Sequence, residues 1–360
     1  MGRDEAMGSS KAGKRRPARS AARFAVLGAL LAASAAAGQL AGTGEGAAAQ
    51  RPSRGSPPAV LTPLGAQAEA VSLIGEARRS WTVDLEVYEL GNPEVIRALE
   101  AAERRGAVVR VVLDPTERES EQSGPRLAAA GVAVRTLWVE GGIDHVKLLV
   151  VAAPGAGGVV VFGGVNFGST SRWTKDLDVA EGGAWVKEAE AVFDADWAAA
   201  GGEGSPAEGR YGAFALGGAA IEASLGRVLA WAQAQRRASC DVVANYLTSY
   251  WVQDALVGAA HEGVAVEAVL NPEAYGVAAA RRWLAGHGVG VEEVPASPYL
   301  HAKVLVCARQ GAAEAVVGSA NFSYDALHHN HELDATLTGR VAEAVWRWAR
   351  GVAAAARRPG

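Results

Sequence analysis

The chain has 360 residues, 49% of them apolar and 21% charged, with a formal net charge of −4. That length suits two domains behind a leader, and that balance excludes a disordered or collagen-like chain. A net-negative chain is a poor general trap for nucleic-acid phosphates, so only a local basic cleft could serve that role.

Residues 1–37 read as a secretory signal peptide. Arg3, Lys11, Lys14, Arg15, Arg16, Arg19 and Arg23 form a basic head, an uncharged run follows from Phe24, and Ala35 and Ala37 offer an A-x-A exit. The expected location is secreted or periplasmic. Because the uncharged stretch continues to Gly44, an uncleaved membrane anchor is the alternative. Residues 38–65, rich in Gly, Ala, Ser and Pro, read as a flexible linker. Residues 1–50 hold seven basic and three acidic residues, which leaves 28 basic and 36 acidic residues beyond them, net −8.

Residues 66–200 form a first expected domain. Strands are predicted at 81–88, 107–113, 132–138 and 145–152, and helices near 66–79, 93–105 and 184–199. GGEGSPAEG, residues 201–209, reads as the interdomain linker. Residues 210–358 form the second domain, with strands at 240–247, 264–270, 289–294 and 301–308 and helices near 217–237, 250–262, 275–286 and 339–356. The second domain repeats the first. Ala98–Pro115 and Ala255–Pro272 share one helix-end, Gly-turn, strand and Pro-stop pattern at an offset of 157 residues. His145 and His301 are 156 apart, and Asn166 and Asn321 are 155 apart. Near-constant offsets mean a duplicated unit, and alternating strands and helices mean α/β. The expected architecture is two similar α/β sandwich domains related by a pseudo-two-fold axis, with the active site at their interface.

HVKLLVV (His145–Val151) and HAKVLVC (His301–Cys307) each place a His and a Lys two apart at a strand start. Residues i and i+2 share a face of a strand, so each pair points one way while Val146 and Ala302 point into packing. A lysine is costly to bury and depresses a neighbouring imidazole, and an anion such as phosphate between them relieves both problems. A lone His at a strand edge is more often a satisfied core residue. Two at one spacing, followed by GGVNFGS and GSANFSY, are a constellation. The pattern resembles the phospholipase D superfamily, whose repeats carry H-x-K-x(4)-D, then G-S/G-x-N, then N-x-E. The matches are His145, Lys147, Gly163, Gly164 and Asn166, then His301, Lys303, Gly318, Ser319, Asn321, Asn330 and Glu332. Three departures stand out. The motif Asp falls at Ala152 and Ala308, Gly164 replaces a Ser, and Asp176 and Asp178 stand where Asn and Glu are usual.

The resemblance implies phosphodiester chemistry without metal or cofactor. One His attacks phosphorus and the other protonates the leaving alcohol, then activates water. It implies His145 as nucleophile and His301 as acid/base. Lys147, Lys303, Asn166, Asn321 and Ser319 would face the phosphoryl oxygens, and Asp178 and Glu332 would orient the rings. The favoured substrate is a phospholipid headgroup at a membrane surface, hydrolysed or transferred, by a monomer needing no obligate protein partner. Nucleic acid is disfavoured as a partner because few basic residues beyond Arg172 and Lys175 flank the motifs. An exported endonuclease, a cardiolipin synthase-like transferase and a degenerate phosphate- or lipid-binding protein are the alternatives. His328, His329 and His331 lack a second ligand cluster in the sequence around them, so no metal site is expected. Cys240 and Cys307 read as two buried strand residues, a single bridge being the alternative. Trp173 and Tyr324, just past the Asn motifs, would either line the pocket or cap the hairpin.

Overall fold

Val- and Leu-rich runs of six or seven residues, bounded by Gly turns, build two sheets in the computed structural model, which describes residues 59–155 and 157–357. The expected signal peptide and most of the expected linker lie outside the described residues.

The first half runs β1 (Ala59–Leu61), α1 (Pro63–Glu76), β2 (Thr82–Val87), α2 (Pro93–Arg104), β3 (Val108–Leu113), α3 (Arg118–Ala129), β4 (Ala133–Thr136), β5 (Lys147–Ala153), β6 (Gly157–Gly163), β7 (Asp178–Gly182) and α4 (Ala184–Ala200). The second half runs β8 (Gly209–Tyr211), β9 (Phe214–Leu216), α5 (Gly218–Gln233), β10 (Ser239–Ala244), α6 (Tyr250–His261), β11 (Ala265–Leu270), α7 (Val277–Ala285), β12 (Gly290–Glu293), β13 (Lys303–Arg309), β14 (Ala312–Gly318), α8 (Tyr324–His328), β15 (Leu333–Thr338) and α9 (Gly339–Ala356). The sheet orders are β1-β7-β6-β5-β2-β3-β4 and β12-β11-β10-β13-β14-β15-β9-β8. Strand for strand these are one topology, with β8 added to the second sheet. The duplicated α/β architecture expected from the offsets is therefore present.

Each sheet is parallel across β2-β3-β4 or β10-β11-β12, then antiparallel from its central strand, β5 or β13, outward. The central strands are apolar on both faces, as strands covered on both sides must be. Leu148 and Val150 of β5, with Val304 and Val306 of β13, enter a core shared by both sheets, together with α4 and α9. Leu149 and Val151 pack outward with α1 and α2, and Leu305 and Cys307 pack outward with α5 and α6. Phe162 of β6 stacks on Trp185 of α4 (centroids 5.5 Å) and meets Phe214 of β9 edge-on at 5.0 Å, joining the halves.

Three differences between the structure and the sequence reading bear on the fold. Residues 59–61, assigned to a linker, form an edge strand with Ala59 opposite Ala180. Helix α3 was not expected, because it buries Ser120, Ser123, Gly124 and Leu127 rather than an apolar stripe and carries Pro125 inside. The Glu117 carboxylate caps it by accepting from Ser120 N at 2.8 Å. The third difference is a correction. Cys240 and Cys307 are directly opposed across β10 and β13, Cα atoms 4.0 Å apart, and form a disulfide. Their separation of 67 residues hid the pairing, which register alone reveals.

Candidate active site

Both His-x-Lys segments enter their sheets at the carboxyl ends of the parallel strands. Lys147 lies opposite Val87, the last residue of β2, and Lys303 opposite Ala244, the last of β10. That end of an α/β sheet is where loops converge and ligands bind. Val146 and Ala302 enter the shared core, as the strand alternation requires.

The two imidazoles are held crosswise. His145 Nδ1 lies 2.8 Å from Glu332 Oε2, and His301 Nδ1 lies 2.7 Å from Asp176 Oδ2. Each ring takes its carboxylate from the other half of the chain. With Nδ1–H donated to a carboxylate, Nε2 of each ring is left for the reacting group, bearing a lone pair in the neutral ring and a proton in the imidazolium.

This arrangement corrects two expected roles. Asp178 touches neither imidazole: it is buried and its Oδ1 accepts from Val165 N at 3.0 Å, as Asp334 does from Ala320 N at 3.0 Å. The register pairs Gly163 with Asp178 and Gly318 with Asp334, so Asp176, not Asp178, is the counterpart of Glu332. Ser319 does not face a substrate either. Its Oγ donates to Glu332 Oε2 at 2.6 Å and accepts from Leu333 N at 3.0 Å, with no exposure. Asn330 Nδ2 donates to the other Glu332 oxygen at 3.1 Å. In the first copy Asp176 lies over Gly164, where an added Cβ would sit 2.4 Å from Asp176 Oδ1. Gly and the shorter Asp thus replace Ser and Glu as a pair.

Burial and like charges set the protonation states. Burial, then the Lys147 and Lys303 charges, hold His145 well below the ordinary imidazole range. His301 is lowered by burial and then Lys303. Burial pushes Lys147 down to about 7 and Lys303 down to about 8. Burial raises Glu332 to about 7. For Asp176 burial acts upward too, but the Lys303 charge and the His301 hydrogen bond more than offset it, and the carboxyl stays low. Lys147 Nζ donates to the His145 carbonyl at 2.5 Å, and Lys303 donates to the His301 carbonyl.

Asn166 and Asn321 each hold an amide oxygen that is buried without a protein partner. Gln67 donates to the Asn166 carbonyl at 3.2 Å and fixes that turn. Two aromatic neighbours went unread in the sequence. Tyr88 meets the His145 ring edge-on at 5.1 Å, and Tyr299 lies 6.4 Å from the His301 ring with its hydroxyl donating to Asn245. Their signal was position: one directly follows β2, the other precedes His301 by two residues. Trp173 and Tyr324 are both exposed, Trp173 beside the Arg172 guanidinium and Tyr324 against His328. The missing motif acids lie at the far ends of β5 and β13. Ala152 and Ala308 are five residues beyond the lysines, roughly 16 Å along the strand, and pack in the shared core. Their substitution leaves the crossed pairs intact.

The family model described as cardiolipin synthase, phospholipase D-like domain, matches residues 71–197 and 230–350. The chain belongs to this phospholipase D-like family. The phosphatidylserine synthase of Haemophilus influenzae aligns over 84% of this chain and 86% of its own, with a TM-score of 0.57 and 10% identity. The polyphosphate kinase of Porphyromonas gingivalis aligns over 80% of this chain, with a TM-score of 0.61 and 16% identity; the match spans 45% of that kinase. The phospholipase D family member Nuc of Salmonella typhimurium aligns over 40% of this chain and 95% of its own, with 23% identity and a TM-score of 0.34. No curated protein matched the chain.

Proposed function

We propose that this protein is an exported phosphodiesterase that hydrolyses or transfers phospholipid headgroups through a phosphohistidine intermediate. The crossed pairs, His145 with Glu332 and His301 with Asp176, carry the reading. Neutral His145 attacks phosphorus through Nε2, and the phosphorus–oxygen bond to the headgroup alcohol breaks. His301 delivers its proton to the departing oxygen, then removes one from water or an acceptor alcohol, whose oxygen displaces His145. The assignment follows the environments. His145 is the more enclosed ring and the one more strongly held neutral, which suits a nucleophile. His301 faces the low-pKa carboxylate of Asp176, which supports an imidazolium. Lys147 and Lys303 offset charge on the phosphoryl oxygens, with the Asn166 and Asn321 amides beside them.

Similarity of fold to a phosphatidylserine synthase along both chains supports a lipid substrate. The leader composition and the Cys240–Cys307 bridge support an oxidising, extracytoplasmic site of action. Among the described residues no helix is long and apolar enough to cross a membrane.

The test offers the chain vesicles of phosphatidylcholine, -ethanolamine and -glycerol, with plasmid DNA in parallel. Phosphatidic acid is expected from the vesicles. His145→Ala should lower the rate by at least ~10⁴-fold, and His301→Ala by ~10²–10⁴-fold. Quenching His301→Ala in neutral denaturant, because acid cleaves a phosphorus–nitrogen bond, should leave a phosphatidyl adduct on His145, visible by mass spectrometry. Cut DNA with intact lipid would replace the lipid reading with a nuclease, and an adduct on neither His would end the mechanism.

A further inference from the structure

One polar cluster sits inside the shared core, behind the crossed pairs. Glu86 lies on β2, Asp144 directly precedes His145, Asp196 lies on α4 and His331 directly precedes Glu332. The three carboxylates have no exposure and His331 has 6%. His331 Nε2 is 3.0 Å from Asp196 Oδ1 and 3.9 Å from Glu86 Oε1. Donor atoms of Glu86, Asp144 and His331 all fall within 4.8 Å of one another. Both Glu86 oxygens and one oxygen each of Asp144 and Asp196 have no hydrogen-bond partner, and His331 Nε2 meets only the Asp196 carboxylate. Buried polar atoms are almost always paired, so four unpartnered carboxylate oxygens gathered around one imidazole call for something between them.

The fold does not demand this cluster, and the duplication supplies the control. The parallel bridge between Asp144 and His331 has its counterpart in the bridge between Leu300 and Lys175. Strand register places Val243 of β10 where β2 carries Glu86. Val243 and Leu300 lie in the shared core, so the second copy fills the equivalent space with aliphatic carbon. Three carboxylates gathered in a dry interior repel one another and lose their hydration, and a single imidazole cannot neutralise them.

We propose that Glu86, Asp144, Asp196 and His331 bind one divalent transition-metal cation, zinc foremost, as a structural tie between the two halves. One imidazole nitrogen with carboxylate oxygens, and no thiolate, suits zinc or manganese; magnesium retains its waters and is ill matched to so dry a space. Three donors come from the first half and His331 from the second, so the cation would clamp the backbone beside both His145 and Glu332. The HHNHE segment looked barren of metal because its partner ligands lie far away in the chain, at positions 86, 144 and 196. The tie takes no part in the phosphoryl steps, and the readouts below are independent of substrate.

The experiment measures metal content of the untagged full chain by plasma mass spectrometry, after purification without chelator. About one equivalent of zinc or manganese per chain is expected. Stripping with dipicolinate should lower the melting temperature, zinc chloride should restore it, and magnesium chloride should not. Glu86→Gln and His331→Gln should each retain less than a tenth of the metal. X-ray absorption of the wild type, which needs no variant, should show a nitrogen- and oxygen-ligated ion without sulfur. A metal-free protein whose melting is unmoved by zinc, manganese or cobalt overturns the proposal. So does metal retained equally by both variants, or a fully hydrated ion in the absorption spectrum.

Discussion

Asp176→Asn would leave His301 Nδ1 against an amide that cannot stabilise an imidazolium, and it would invite the wrong tautomer. The expected result is a kcat lower by ~10²–10⁴-fold with KM little changed. Asp178→Asn is the contrasting control. Burial raises the Asp178 carboxyl well above its ordinary range, which favours the uncharged form, and an amide oxygen can accept from Val165 N as it does. Both kcat and melting temperature should be unchanged; a loss equal to that of Asp176→Asn would refute the crossed assignment. The acid His301 must carry its proton, and burial with the Lys303 charge holds it below the ordinary imidazole range, so its deprotonation sets the first alkaline loss and the lysines add a second. Each ammonium loses its charge as pH rises through about 7 for Lys147 and about 8 for Lys303, so kcat/KM, already falling as His301 loses its proton, should steepen its fall through that window. His145, held neutral well below the ordinary imidazole range, adds no loss until the pH is far more acidic. Lys303→Arg keeps its charge at any accessible pH, and the steeper second part of the alkaline limb should be lost from its residual activity. The two His, the two Lys and the two Asn were legible because spacing on a strand fixes their common face. The partners of the imidazoles were not, because a carboxylate one half away has no sequence signature. The choice between Asp176 and Asp178 needed the pairing of β6 with β7.

At the scale of elements, register decides what composition left open. The disulfide staples the central strand β13 to its neighbour β10, closing a segment of 67 residues. Loop-closure entropy assigns such a bridge about 4 kcal/mol. Calorimetry with and without a reductant should show a lower melting temperature when it is open, and equal curves would mean the thiols are free. Gly164 makes a sharper local prediction. In Gly164→Ser the new Cβ meets the Asp176 carboxylate, which must swing away from His301. Activity should drop by at least tenfold, and Asp176→Ala should then add little to the loss, a non-additivity that a double-mutant cycle reads directly. Regular apolar strands made most of the sheet legible. Helix α3, the edge strands β1 and β8, and the short β9 beside β8 were missed because short or small-residue elements owe their existence to neighbours rather than to periodicity.

For the molecule as a whole, the shared core makes the halves interdependent. Helices α4 and α9 and the inner faces of both sheets bury one another, and Phe162, Trp185 and Phe214 knit the junction. Phe162→Ala should cost about 3–5 kcal/mol and lower a single calorimetric transition rather than split it. Residues 59–200 and 210–357 made separately should fail to melt cooperatively; two sharp transitions would show autonomous halves. The duplication could be read from constant offsets, but the depth of this merger could not, since an apolar strand looks the same whichever sheet it faces. The crossed pairs also carry a historical consequence. A lone copy could never have completed its own site, because its imidazole waited on a carboxylate from elsewhere. A single copy of this geometry could work only by pairing with a second copy, and carrying both copies in one chain makes that pairing permanent. From then on each copy needed to serve only one side of the encounter. Asp176 with Gly164 against Glu332 with Ser319, and Glu86 against Val243, are the divergence that the union permitted.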